Sequence, residues 1–290
     1  MLESSVIIVG NGPAGVSTAL YTARAGIETL VIGSGEGALM KAKEVENYYG
    51  FPNPISGQDL LIRGIAQIKR LGVKIIEQEV VGIEEADGFI VKTATESFVA
   101  KVVVLTTGTS HAKPKWQGID IFNGMGVSYC AVCDGFFFRG KNVAVAGNGP
   151  YALHEVNILL PIADSVTLCT DGNPLLADFP PEVKIIDTPV ASLAGDTVLS
   201  GIRFKDDSVI AANCLFVALG TAGSSDLALT MGAEVKDSNI VIDEHMRTNI
   251  PGLLAAGDCT GGMKQIAKAV YEGAVAGTEA VRILRAERRQ

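Results

Sequence analysis

Val6 to Gly15 reads VIIVGNGPAG, and Val143 to Ala152 reads VAVAGNGPYA. In each, an unbroken apolar run meets a glycine-rich turn and then a segment of helical period, the order of a buried strand, a tight turn and a helix. The stretches that follow, IETLVIG and SVTLC, are apolar again. Residues 5–32 and 142–169 therefore each predict a βαβ unit, whose strands must run parallel because a helix connects them. A separation of about 137 residues is far beyond the period of a solenoid, so the repeat marks two domains rather than an array.

With 290 residues the chain exceeds the roughly 100 to 200 of a single domain. The expected class is α/β, with two Rossmann-like dinucleotide-binding domains and mostly parallel sheets. VVVLTTGT (102–109) and NCLFVALGTAG (213–223) both read as buried strands running into glycine turns, with HAKPKWQG and TAGSSD as linkers. One domain is then built from both ends of the chain, residues 1–112 and 221–290, with 113–220 inserted and the two crossing strands as the hinge.

Charge and leader signals exclude several functions. Twenty-four basic against 32 acidic residues give a net charge of -8, which disfavours nucleic acid or an anionic membrane as a bulk partner. The N-terminus MLESSVIIVG has no basic region, and no apolar run approaches the ~18 residues of a membrane span. A cytoplasmic protein is expected. Five cysteines, an odd count without an export signal, argue against a structural disulfide framework.

The first loop, Gly10-x-Gly12-x-x-Gly15, follows a strand and opens a helix, the context its chemistry requires. Gly10 permits the tight turn, Gly12 lets backbone approach a pyrophosphate, and Gly15 lets helix pack on strand, while the helix N-terminus attracts the negative charge. Pro13 and Ala14 complete the turn. Gly33 stands where an acidic residue for the ribose is expected, leaving Glu36 as the nearest substitute.

TNIPGLLAAGDCTGG (248–262) is an apolar strand ending in Gly257-Asp258 and a further glycine turn. Here the chain resembles the two-dinucleotide-binding flavoprotein disulfide reductases. The resemblance implies FAD, with Asp258 on the ribityl chain and Lys264, Gln265 and Ile266 opening a helix toward the flavin. Thr107-Gly108 matches the family's A-T-G turn, and EVENYYGFP (44–52) matches a segment that puts Asn47 near the isoalloxazine. Met40 and Val80 are implied as further cofactor contacts. The family's G-G-Q-L reads GALM (37–40), with Leu39 in place of glutamine, a change expected to alter the flavin potential.

Cys130 and Cys133 lie in YCAVCDGFFF. A C-x-x-C closes a small disulfide ring and serves as an exchange catalyst when a thiol pKa is lowered. A zinc half-site is the alternative, but Cys169, Cys214 and Cys259 form no second pair, and His111, His154 and His245 lack ligand spacing. Cys169 and Cys214 read as buried, inert thiols, while Cys259, next to Asp258, is a minor redox candidate. The pattern C-A-x-C-D-G at this point is similar to the low-molecular-weight thioredoxin reductases over nearly the whole chain. The resemblance implies Cys133 facing the flavin, Cys130 attacking the partner disulfide, Asp134 moving the proton, rotation of the inserted domain, and a homodimer.

The second loop, Gly147-x-Gly149-x-x-Ala152, keeps the turn but places Tyr151 where the first has Ala14, so a phenol is expected in the pyrophosphate space. The family meets the 2′-phosphate of NADPH with H-R-R-x-x-x-R; this chain has CTDGNPLL, with no lysine or arginine from Asn142 to Val183. NADPH is not expected. NADH is the alternative, since Asp171 stands at about the right distance to meet a ribose hydroxyl. Against it, the crossover between strands at 166–169 and 183–187 holds Pro174, Pro180 and Pro181, too short and broken for a helix.

A flavin and a dithiol without pyridine nucleotide need another donor. The remaining resemblance is to the ferredoxin-dependent flavin thioredoxin reductases of clostridia, which implies ferredoxin as donor and thioredoxin as acceptor. Flavin is the required adaptor, because it accepts electrons singly while thiols exchange them in pairs. Lys264, Lys268, Arg282, Arg285, Arg288 and Arg289 outnumber Glu272, Glu279 and Glu287, and 264, 268, 282, 285 and 289 fall on roughly one helical face, a docking patch for an acidic ferredoxin. The bland reading is that these charges complement a helix C-terminus. An NADH-dependent disulfide reductase and a non-catalytic flavoprotein sensor are the two other functions compatible with the residues.

Overall fold

The structure, a computed structural model, describes residues 2–34, 37–108 and 114–287. It is an α/β protein with mostly parallel sheets, and it divides into two compact units: Met1–Ser110 with Gly223–Gln290, and His111–Ala222.

The first unit is centred on a five-stranded parallel sheet, in the order Leu253–Ala255, Val102–Leu105, Val6–Val9, Thr29–Ile32, Lys74–Ile76. The four strands other than Lys74–Ile76 are buried throughout, which is why they read as continuous apolar runs instead of alternating. Leu253–Ala255 pairs in register with Val103–Leu105, so the C-terminal segment supplies an edge of the sheet that the N-terminal segment begins. A smaller sheet, Leu2–Glu3, Ser97–Ala100, Gly88–Thr93 and Val80–Ala86, is antiparallel apart from its first pair.

Two helices of this unit fix the entrance to the first glycine loop. Pro13–Arg24 starts with proline in its first turn, where the missing N–H costs nothing. The long helix Ile266–Glu287 lies against it through Gly273 and Gly277. A Cβ on Gly273 would collide with the Ala14 carbonyl, and one on Gly277 would stand 2.7 Å from the Thr18 carbonyl. Their absence lets the helices approach closely, which a larger residue would prevent by overpacking.

The second unit repeats the plan. Its parallel sheet runs Lys184–Ile186, Ser165–Cys169, Asn142–Ala146, Cys214–Val217, Val127–Ser128, with a three-stranded antiparallel sheet, Val190–Gly195, Leu199–Phe204 and Val209–Ala211. Helix Pro150–Leu159 follows the second glycine loop. From Cys169 to Lys184 the chain crosses without a helix, as the three prolines there dictate.

Substituting Gly273→Val should destabilise the first unit by on the order of 2 kcal/mol, because the clash is with backbone that cannot swing away. Thermal unfolding by circular dichroism should show a lower Tm with secondary structure retained at 20 °C, taken as roughly room temperature; an unchanged Tm would contradict this account of the helix pair.

Candidate active site

In a parallel sheet all strand carboxyl ends share one edge, where ligands of such folds bind. That edge gathers three of the segments marked by the sequence: Gly10–Gly15 after Val6–Val9, Thr107-Gly108 after Val102–Leu105, and Gly257-Asp258 after Leu253–Ala255. Gly10 has φ +110°, and a Cβ there would lie 2.6 Å from the Thr106 carbonyl, so the turn admits only glycine. Thr106 Oγ1 donates to the Val9 carbonyl at 2.8 Å, tying the adjacent strand ends. Gly12, in contrast, has nothing among the described residues within 4 Å of where a Cβ would stand. The helix that begins at Pro13 carries no side-chain cap and no acidic residue in its first turn, leaving amides for an anion.

Around this cradle the structure joins residues distant in sequence. Asn47 Nδ2 donates to Gln265 Oε1 at 2.8 Å, just before helix Ile266–Glu287. Lys264 is exposed beside it, and Ile266 is half-buried. The Gly257 position, at φ +93°, would bring a Cβ to 3.0 Å from the Ala14 methyl, so the Asp258 loop lies against the first glycine loop. Asp258 is half-buried at the start of a short 3-10 turn. Thr107 N donates to Ser224 Oγ at 3.0 Å. Met40, 39% exposed, sits in the 3-10 turn Ala38–Lys41, where Leu39 packs on the core in the place expected for glutamine. Val80 is buried at the start of strand Val80–Ala86 and offers its backbone rather than its side chain. Glu36 lies outside the described residues.

Sequence reasoning missed the residues that hold the Asp258 loop. Lys268 Nζ donates to the Gly257 carbonyl and to Thr260 Oγ1, each at 2.8 Å, and lies 3.0 Å from the buried Glu272 carboxylate. Glu272 in turn accepts from Gly257 N at 2.8 Å and Thr260 Oγ1 at 2.9 Å. The i,i+4 spacing of Lys268 and Glu272 was the available signal, but it is equally that of a surface pair. Open space at Gly12, uncapped helix amides and a braced acidic loop suit a dinucleotide with a ribityl chain.

The network also removes one residue, Lys268, from the basic face. Lys268 is committed internally. Arg282 makes two hydrogen bonds of 2.7 Å to Glu279, which Arg247 Nε also meets at 2.7 Å. Burial alone would raise the Glu279 pKa, but the hydrogen bonds from Arg282 and Arg247 hold it at about 2. Arg285 Nη2 reaches the Ala25 carbonyl at 3.4 Å, and Arg288 and Arg289 lie outside the described residues. Lys268 is thus drawn inward, while Lys264, Arg282 and Arg285 remain exposed.

In the second unit Cys130 and Cys133 form a disulfide, with Cα atoms 5.3 Å apart. Cys130 is 4% exposed and Cys133 is open to solvent. Cys130 N-caps the short helix Ala131–Asp134, its Sγ accepting from Cys133 N at 3.1 Å. Ser128 Oγ donates to Asp134 Oδ2 at 2.7 Å and accepts from Cys130 N at 3.1 Å, linking the carboxylate to the disulfide's backbone. The other thiols are inert. Burial pushes Cys169 and Cys259 up to about 12, and Cys214 higher still. Cys259 Sγ is turned to the carbonyls of Ala256 and Leu105, which removes it as a redox candidate. No group of three or more His, Cys, Asp or Glu among the described residues could hold a metal.

The second glycine loop differs from the first in what bonds to it. Asn148 Nδ2 donates to the Pro174 carbonyl at 2.7 Å, Leu176 N donates to the Asn148 carbonyl at 2.8 Å, and Leu176 Cβ stands 4.0 Å from the Cβ position of Gly149. Chain thus lies beside the second loop through two bonds to Asn148; in the first, Asn11 Nδ2 makes a longer bond of 3.4 Å to the Gly33 carbonyl. The Tyr151 ring is buried, and its hydroxyl donates to the Tyr129 carbonyl at 3.1 Å. Asp171, at φ +54°, accepts from Val190 N at 2.7 Å and from the Trp116 indole at 3.3 Å.

Two parallel-sheet units, an open dinucleotide cradle in one and a C-x-x-C disulfide in the other, define a class of flavin-type disulfide oxidoreductases. The pyridine nucleotide-disulphide oxidoreductase family matches residues 4–273. A thioredoxin reductase of Aquifex aeolicus is 35% identical over 87% of this chain and 84% of its own, and one of Listeria innocua 34% over 95% and 92%. The crystal structure of the atypical thioredoxin reductase TRi from Desulfovibrio vulgaris Hildenborough superposes with a TM-score of 0.92 at 40% identity, covering 98% of this chain and 99% of that one. A ferredoxin-flavin thioredoxin reductase from Clostridium acetobutylicum superposes with a TM-score of 0.75 at 32% identity, covering 99% of each. The chain belongs to the low-molecular-weight thioredoxin reductase family, within the pyridine nucleotide-disulphide oxidoreductases.

Two outcomes follow from the thiols and from Glu279. After reduction, iodoacetamide at pH 8, taken as roughly the ordinary thiol pKa, should alkylate exposed Cys133 first, Cys130 more slowly through the motion that uncovers it, and all five cysteines once the protein is unfolded. Because Glu279 has a folded pKa of about 2 against an ordinary 4.5, its contribution to stability is complete above pH 4.5 and is lost as pH falls toward 2. Glu279→Gln should therefore flatten the acid limb of a Tm-against-pH curve relative to the unsubstituted protein.

Proposed function

We propose that this protein is a flavin-dependent thioredoxin reductase that takes its electrons from a reduced ferredoxin instead of NADPH or NADH. The observation that carries the donor is the crossover at the second loop, with Leu176 and Pro174 bonded to Asn148 beside Gly149. Asp171, the residue that would meet the ribose of NADH, has both carboxylate oxygens engaged within its own unit. No arginine or lysine between Asn142 and Val183 is present to meet a 2′-phosphate. The likeness to the clostridial ferredoxin-flavin enzyme supports the same reading.

FAD would be held by the Gly10–Gly15 loop and the uncapped amides of helix Pro13–Arg24, by Asp258, and by the Asn47 and Gln265 pair. When bound it supplies the conversion between single electrons and the electron pair a disulfide requires. The protein's own sulfurs do the rest. Starting from the dithiol, the Cys130 thiolate attacks a disulfide sulfur of thioredoxin, forming a mixed disulfide and releasing one thioredoxin thiolate. Cys133 then attacks Cys130, closing the Cys130–Cys133 disulfide and releasing reduced thioredoxin. Asp134, held by Ser128, takes and returns the protons. Since Cys130 is 4% exposed, the attack requires a rearrangement that uncovers it.

An anaerobic titration of the FAD-loaded protein separates the donors. Reduced ferredoxin should bleach the flavin within the mixing time, whereas NADH and NADPH at millimolar concentration should not. Rapid bleaching by either nucleotide would overturn the assignment of the donor. Cys130→Ser should still accept electrons at the flavin but fail to reduce thioredoxin; retention of thioredoxin reduction would overturn the dithiol chemistry.

A further inference from the structure

The helix that follows the second glycine loop has side chains in an unexpected place. Tyr151 and Glu155 lie one turn apart on helix Pro150–Leu159, and both are buried, at 5% and 2% exposed. Each bonds to the backbone next to Cys130: the Tyr151 hydroxyl donates to the Tyr129 carbonyl at 3.1 Å, and Glu155 Oε2 accepts from Ala131 N at 2.6 Å. The residues on both sides of Cys130 are thus gripped by a single helix face.

We propose that Tyr151 and Glu155 are positioning residues for the redox disulfide: together they fix the Cys130 segment, and the Glu155 carboxylate restrains formation of the Cys130 thiolate. This rests on the reading of Cys130–Cys133 as the redox pair but not on the identity of the electron donor. The reasoning is geometric first. The Glu155 carboxylate is bonded at 2.6 Å to the amide that directly follows Cys130, and both residues are buried; a negative charge adjoining a buried thiol disfavours its ionisation. The same bond takes an N–H that would otherwise be available to a thiolate. Cys130 retains one sulfur-directed donor, Cys133 N.

The other titratable groups on the elements packed here are few. The Cys130 segment itself contributes Tyr129, Cys133 and Asp134, the last held by Ser128. Helix Pro150–Leu159 contributes His154 besides Tyr151 and Glu155, strand Cys214–Val217 contributes Cys214, and strand Ser165–Cys169 contributes Cys169. Burial keeps the two thiols protonated, and the charge of Asp134 acts on Cys214 in the same direction.

The test measures the sulfurs directly, without turnover. In a Cys133→Ser background Cys130 is the one reactive thiol, and its alkylation rate against pH gives its apparent pKa by mass spectrometry of the FAD-loaded protein. Glu155→Gln, which keeps an oxygen for the Ala131 amide and removes the charge, should lower that pKa by about one unit and speed alkylation at neutral pH about threefold, because the thiolate becomes more abundant but less nucleophilic. Glu155→Asp, which keeps the charge, should restore a value near the starting one. With both cysteines present, Tyr151→Phe should leave the pKa unchanged and speed reduction of the buried disulfide by dithiothreitol several-fold. If Glu155→Gln titrates like the unsubstituted residue, or if Tyr151→Phe is reduced at the unsubstituted rate, the proposal fails. Should Glu155→Gln not fold, the Tyr151→Phe measurement decides alone, since it removes one hydroxyl. A flavin that proves to be reduced by NADH would overturn the donor and leave these outcomes unaffected.

Discussion

Everything at the candidate cofactor site depends on strands that run parallel. Because such strands cannot be joined by a tight turn, each must be followed by a crossover, and every strand's carboxyl end comes to the same edge. Gly10–Gly15, Thr107-Gly108 and Gly257-Asp258 are far apart in sequence, yet each immediately follows a strand of one sheet, so the topology alone collects them. Glycine then sets how closely they meet. Gly257 lies against Ala14, and Gly273 lies against the Ala14 carbonyl, so one short residue of the first loop is contacted from two separate C-terminal elements. The Lys268, Glu272 and Thr260 network braces the acidic loop where it would otherwise carry an isolated buried carboxylate.

The two glycine loops show why a motif and its ligand are separate properties. Both have a glycine with positive φ, proline in the first helical turn and no side-chain cap. What separates them is contributed from elsewhere: a proline-rich crossover bonded to Asn148 at the second, against a single longer bond from Asn11 to the Gly33 carbonyl at the first, where nothing described approaches the Gly12 Cβ position within 4 Å. In the first unit the chain leaves a strand end and gives its amides to whatever binds. In the second the crossover is too short for a helix, and the shortest path back to Lys184–Ile186 brings it beside the loop.

Strands and the two βαβ units were legible in the sequence because fully buried strands must be apolar at every position, and the glycines mark where backbone turns sharply. The C-x-x-C was legible because its chemistry needs two sulfurs at that spacing. Side-chain directions were not. Tyr151 was expected in the pyrophosphate space on the strength of its position in the motif, but a phenol with one apolar face and one polar tip is better satisfied buried with its hydroxyl on the Tyr129 carbonyl. Lys268 read as an exposed cation because periodicity shows which face a residue is on and not which partner shares that face; Glu272 lies four residues away. Ser224 and Ser128 left no mark, since single hydroxyls become meaningful only once the fold brings Thr107 or Asp134 to them.

The helix after the second glycine loop keeps two polar side chains, Tyr151 and Glu155, deep in the unit. A buried carboxylate is costly unless its bonds are made, and Glu155 at 2% exposed meets the Ala131 amide at 2.6 Å. The helix is therefore held in place by the redox segment as much as by the sheet beneath it. On this view the second unit retained its Rossmann plan because the helix after the loop already stood beside Cys130. The Pro174–Leu176 crossover meets the loop at Asn148, ahead of Pro150, and so leaves that helix undisturbed.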